Sequence, residues 1–177
     1  MTVEPRQIDR TELEDLLREV EGSVLLGSHR AADLESFQIG DRLQRIDRRG
    51  LALESSAYAL HVQSPWRIVT DREIVVGYQD LSLPRSGLLE SDFDPNDLGS
   101  TRREELLNRL FSNDADLRIE STTATDLGDL RMRLTGGYSL EVFPDTADND
   151  DDPEYWRLLK RESWHVIVSG HGFRILG

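Results

Sequence analysis

The chain has 177 residues, with 34 acidic and 21 basic side chains, a formal net charge of −13 and no cysteine. An anionic surface of this kind repels nucleic-acid phosphates, and a cysteine-free chain has no disulfide, thiolate metal ligand or cysteine nucleophile. Hydrophobic residues make up 37%, enough for one buried core, and no run approaches the ~18 apolar residues of a membrane span.

The first residues lack a basic start followed by an apolar run, so no secretory signal is expected and a cytoplasmic, bacterial-type location is the reading. Thr11 and Glu14 stand at capping-box spacing, and Leu13, Leu16, Leu17 and Val20 recur at helical period, which predicts a helix ended by Gly22. Strand patterns follow over 23–29 and 34–39. Residues 41–50 are rich in Arg and Asp and read as a loop or solvated edge. Tyr58, Leu60 and Val62 then alternate with Ala59, His61 and Gln63, placing His61 on the face away from the core. Pro65 marks a strand end. Segments 67–70 and 73–76 flank Asp71-Arg72 as a hairpin.

Residues 82–100 hold Pro84, Gly87, Pro95 and Gly99 among acids and form the longest irregular stretch, which reads as a mobile loop. A second helix starts at about Thr101 with Glu104 in capping-box position, an apolar stripe of Leu106, Leu107, Leu110 and Phe111, and Asn113 as its stop. Leu130, Met132 and Leu134 alternate with arginines, and Tyr138, Leu140 and Val142 alternate with Ser139 and Glu141. A two-residue Gly-Gly loop would set apolar side chains opposite polar ones. A three-residue loop, Thr135-Gly136-Gly137, pairs Leu134 with Tyr138, Met132 with Leu140 and Arg131 with Glu141, so the pattern selects it. After an acidic run over 148–152, Asp152 as N-cap and Pro153 at the first helical position predict a short helix over 154–160. Strands over 164–168 and 173–176, joined by Gly170-His171-Gly172, close the chain.

The pattern predicts an α+β fold: a mainly antiparallel meander sheet with two or three short helices in one domain over 1–177. A weak internal likeness relates 23–81 to 117–176, with helix 101–113 between them. Its shared frame is Tyr-x-Leu-x-Val followed by Pro.

The segments Leu60-His61-Val62-Gln63-Ser64-Pro65-Trp66-Arg67, Ile74-Val75-Val76-Gly77 with Asp80-Leu81, Leu140-Glu141-Val142-Phe143-Pro144 and Glu154-Tyr155-Trp156-Arg157 resemble an uncharacterised family of small acidic actinobacterial proteins, over residues 30–177. Members often carry Cys before Pro-Trp-Arg, where this chain has Ser64, which implies no essential thiol chemistry there. The family has no established activity, so the resemblance implies a grouping and not a mechanism. Small acidic proteins of this kind are similar to immunity proteins of bacterial toxin systems.

No P-loop, dinucleotide-binding, zinc-protease or nucleophile-elbow motif occurs, and no cofactor or metal site is read from the sequence. Four histidines are present, His29, His61, His165 and His171, and their spacing matches no ligand set. Trp66 and Arg67 are residue types that dominate binding hot spots, and Pro65 would aim them outward; the structural alternative has Trp66 plugging a sheet edge while Arg67 pairs with an acid. Tyr155 is a further contact candidate, whereas Trp156 reads as core. Asp148, Asp150 and Asp151 would dock a cationic partner or form a solvated loop, and the run lacks the calcium-loop pattern.

The leading expectation is a non-catalytic protein-binding module, of which an immunity-type inhibitor of a cationic toxin or enzyme is the narrowest form. Its candidate contacts are Trp66, Arg67, His61, Asp148, Asp150, Asp151 and Tyr155. One alternative is an enzyme, small-ligand or metal binder using a His29, Asp33 and His61 pocket. Another is a homodimeric structural protein. Nucleic-acid and membrane partners are not expected.

Overall fold

A computed structural model describes residues 4–46, 49–112, 116–147 and 154–177. In chain order the described elements are β1 (Arg6–Ile8), α1 (Arg10–Arg18), β2 (Leu25–Ala31), β3 (Leu34–Ile46), β4 (Ala52–Val62), β5 (Trp66–Val69), β6 (Ile74–Gly77), α2 (Arg102–Ser112), β7 (Ile119–Ala124), β8 (Leu130–Leu134), β9 (Tyr138–Val142), β10 (Glu154–Lys160), β11 (His165–Ser169) and β12 (Gly172–Leu176). Short 3-10 turns occupy Tyr78–Ser82, Glu90–Asp92 and Thr135–Gly137.

The strands form two antiparallel sheets. One has seven strands in the order β1-β12-β11-β10-β4-β3-β2, and the other has five in the order β6-β5-β9-β8-β7. The architecture is therefore α+β and mainly antiparallel. Alternation decides which side chains go inside. Phe37, Leu60, Leu158 and Val166 from the larger sheet share one buried cluster with Trp66, Ile68, Met132 and Leu140 from the smaller one. Phe37 and Trp66 meet edge to face across the two sheets, with ring centroids 5.1 Å apart. Leu13, Leu17 and Val20 of the first helical segment and Leu107 and Leu110 of α2 join the same cluster. Glu21 fixes α1 to the smaller sheet, its carboxylate accepting from the Thr122 N–H at 2.8 Å and hydroxyl at 2.9 Å. Among the described residues, no helix is long and apolar enough to cross a membrane.

The β8–β9 hairpin has the expected register: Leu134 lies opposite Tyr138, Met132 opposite Leu140 and Arg131 opposite Glu141. Gly136 and Gly137 close it with φ of 77° and 80°, a region that glycine enters without a Cβ penalty. The β5–β6 hairpin around Asp71-Arg72 also forms. The internally alike frames fall on different sheets: Tyr58, Leu60 and Val62 on β4 of the larger, Tyr138, Leu140 and Val142 on β9 of the smaller.

Two expectations are corrected and one open reading is decided. Residues 154–160 form a strand and not a helix. Trp156 and Leu158 point inward at period two, and β10 has ladder partners on both sides, in β4 and β11, which a helix could not use. Of the two readings of 41–50, loop or solvated edge, the edge holds for 41–46: β3 continues to Ile46 with β4 as its ladder partner, Arg42 opposite Ser56 and Ile46 opposite Ala52, beyond the β2 pairing that stops at Ile39. Its side chains at Asp41, Arg42 and Gln44 are exposed, as a solvated edge requires. The cap of α1 is Asp9 and not Thr11, with the Asp9 carboxylate accepting from the Glu12 N–H at 2.9 Å. The Asp152 cap and the Asn113 stop lie outside the described residues.

Candidate functional site

The sequence-selected residues separate in space. Trp66 is 1% exposed and belongs to the core. Arg67, its neighbour on the opposite face, donates from Nε to Glu141 at 2.8 Å and lies 5.4 Å from the Phe143 ring centroid. Tyr155 is buried and donates its hydroxyl to the Thr146 carbonyl at 3.0 Å. Trp156 is fully buried, and its Nε1–H donates to the Gly128 carbonyl at 2.7 Å. Asp148, Asp150 and Asp151 lie outside the described residues. Asp33 stands at the β2–β3 turn and accepts from the Tyr78 hydroxyl at 3.3 Å, while His61 shares a groove with His165.

Two buried arginines organise the surface beside α2. The Arg103 side chain is fully buried 3.3 Å from Glu35, donates to the Asp33 carbonyl at 3.2 Å, and lies 5.7 Å from the Trp66 ring and 5.6 Å from the Tyr78 ring. Burial pushes the Glu35 carboxyl above its ordinary range, against the opposing pull of Ser28 and Arg103. Burial likewise lowers the Arg103 guanidinium, with Glu35 opposing it.

Arg30 is 3% exposed at its side chain and uses all of its nitrogens. Nε faces Glu104 at 3.3 Å, Nη1 donates to the Pro95 carbonyl at 2.9 Å and to that of Ala32 at 3.2 Å, and Nη2 donates to the Asp97 carbonyl at 3.2 Å. Glu104 also completes the capping box that the sequence predicts, accepting from the Thr101 hydroxyl at 2.8 Å while Thr101 accepts from the Glu104 N–H at 3.2 Å. Burial opposes the charge of Glu104, but the Gly99 N–H, the Thr101 hydroxyl and Arg30 together hold its carboxyl below the usual range.

These contacts bond the irregular arm 82–100 to β2 and α2. Ser100 donates its hydroxyl to the carbonyls of Asp94 at 2.6 Å and Asp97 at 2.7 Å, Asn96 bonds the Asp94 carboxylate, and the Ser86 N–H and hydroxyl bond Glu105. The arm is thus tied down through its backbone while its side chains face solvent. Leu83, Leu89 and Leu98 are 47%, 67% and 77% exposed. Glu90, Asp92, Asp94 and Asp97 are exposed among them, and no Lys or Arg occurs between Arg85 and Arg102. The sequence shows an irregular acidic stretch here but no residue of it stood among the candidate contacts, and the mobile loop it suggests is tied down by the hydrogen bonds above. Sequence reasoning also missed Arg30, whose partner Glu104 is 74 residues away in the chain.

The outer face of the larger sheet carries a second arrangement. His29, Ser36, His61, Arg157, Ile167 and Arg174 form one row across it, each opposite the next. Beside this row lies a groove of about 260 Å³ lined by Ser56, Ala57, Ala59, His61, Leu159, Arg161, Glu162 and His165. Burial, then the nearby Arg157 charge, lowers both His61 and His165. Arg157 itself is held by Glu154 at 2.9 and 2.6 Å. Among the described residues, no group of three or more His, Asp or Glu side chains is arranged to hold a metal ion.

No family model, curated protein or solved structure matches the chain.

Proposed function

We propose that this is a non-catalytic binding protein that grips a cationic protein through the arm 82–100, with a basic toxin or enzyme as the narrowest class of target. The observation that carries this reading is the combination found in one segment. Arg30, almost wholly buried, anchors the arm's backbone carbonyls, and the arm presents leucines between carboxylates. Exposed leucines give a partner apolar anchors to bury. Carboxylates around them favour encounter with a positive surface and reject acidic ones. Pre-ordering the segment removes most of the conformational entropy that a flexible loop would lose on binding. The net charge of −13 acts in the same direction at longer range.

Affinity capture from the native host tests the reading with two baits, the wild-type chain and the double variant Leu89→Ser/Leu98→Ser. The expected result is a basic protein retained by the first and lost from the second. Equal recovery on both baits, or none on either at micromolar concentration, argues against the arm as the contact surface.

A further inference from the structure

The groove on the outer face of the larger sheet shares no residue with the arm, and it has the makings of a separate site. Its lining combines apolar Ala57, Ala59 and Leu159 with the two histidines His61 and His165. Arg161 lines it too. The Arg161 backbone N–H donates to the Ala57 carbonyl at 3.0 Å, and its side-chain Nε donates to the Ser56 carbonyl at 3.1 Å, so the guanidinium is held in place by its inner nitrogen. Among the described residues Arg161 has no ion-pair partner, although most arginines of this acidic chain do, including Arg30, Arg67, Arg103 and Arg157. A half-buried guanidinium whose two outer nitrogens are left over presents the fork that a carboxylate fits with two parallel hydrogen bonds.

We propose that this groove binds a small organic anion: one carboxylate, carried on an apolar body, with the carboxylate on Arg161 and the body on Ala57, Ala59 and Leu159 between His61 and His165. The charge balance selects a monoanion. Arg161 is the one Arg or Lys among the lining residues, and the Glu162 carboxylate that also lines the groove repels a dianion such as phosphate more strongly than a monoanion. Each imidazole adds a ring N–H donor and a flat apolar face. The volume of about 260 Å³ is just under the ~300 Å³ at which pockets for drug-sized ligands begin, which limits the ligand to a metabolite of modest size.

The test is a titration of the wild-type chain followed by NMR of the histidine rings, with benzoate, its uncharged analogue benzamide, and inorganic phosphate as separate probes. The expected result is saturable shifts of His61 and His165 with benzoate, with His171 unmoved, and no saturation with benzamide or phosphate. In Arg161→Gln the benzoate affinity falls by about tenfold or more, while Arg133→Gln, an exposed arginine elsewhere, leaves it unchanged. No saturable shift with benzoate in the wild type overturns the proposal, as does benzamide binding as tightly as benzoate. The wild-type comparison stands even if Arg161→Gln fails to fold.

Discussion

Arg30 and Glu104 meet at 3.3 Å with side chains only 3% and 16% exposed, and between them they join the β2 edge, the start of α2 and the backbone of the arm. Both charges have left water, so each depends on the other and on the carbonyls and hydroxyl around it. Arg30→Ala should therefore lower the unfolding free energy by about 2–3 kcal/mol, because it removes the cationic partner of a mostly buried carboxylate and the donor to the Pro95 and Asp97 carbonyls. It should also release the arm. Amide hydrogen exchange over residues 94–100 should accelerate by at least about tenfold while β4 and β10 keep their protection. Unchanged exchange in the arm would mean that Arg30 does not hold it.

The buried Glu35 carboxyl gives a pH signature. Burial raises its folded-state pKa above the unfolded value of about 4.3, so the folded chain keeps that proton after the unfolded chain has lost it. Stability from this group is present in full below pH ~4.3 and is lost as pH rises through the folded value. The difference in unfolding free energy between wild type and Glu35→Gln, measured by urea titration from pH 4 to 8, should fall with rising pH and then level. A rise over that range would mean that the pull of Ser28 and Arg103 outweighs the burial of Glu35.

Gly128 joins the two sheets. Its φ is +92°, and a Cβ there would come within 3.0 Å of Val168 Cγ1 and 3.3 Å of Tyr155, while its carbonyl receives the Trp156 indole N–H. Gly128→Ala should cost about 2–4 kcal/mol, combining left-handed backbone strain with overpacking. Gly22→Ala, at φ +84° with nothing within 4 Å, should cost only about 1–2 kcal/mol. Thermal unfolding of the two variants side by side separates the terms. Equal losses would remove the packing contribution assigned to Gly128.

The hairpin around Gly136-Gly137 was legible because two alternating runs leave one loop length that pairs apolar with apolar. Residues 154–160 were not, since Tyr-Trp-Arg-Leu-Leu-Lys satisfies helical and strand periods alike over so short a span. The choice was made by β4, nearly 100 positions earlier, and by β11, which offered a ladder on each side. The same applies to the sites. Acidity and irregularity marked the arm in the sequence, and half of the Glu104 cap was visible as a spacing. The guanidinium of Arg30 lies in a polar strand segment that reads as solvated, and only the fold shows that it is buried against Pro95 and Asp97. Trp66 and Tyr155 illustrate the converse: residue types common at interfaces are equally suited to a core, and burial alone distinguishes the two.

Hydrogen exchange on the captured complex is the most direct test of the arm as the gripping surface. With a basic partner bound, the account expects new amide protection confined to residues 83–98 and its loss as salt rises from 50 to 500 mM along with the complex. Protection on the outer sheet face, with the arm exchanging as in the free protein, would contradict it.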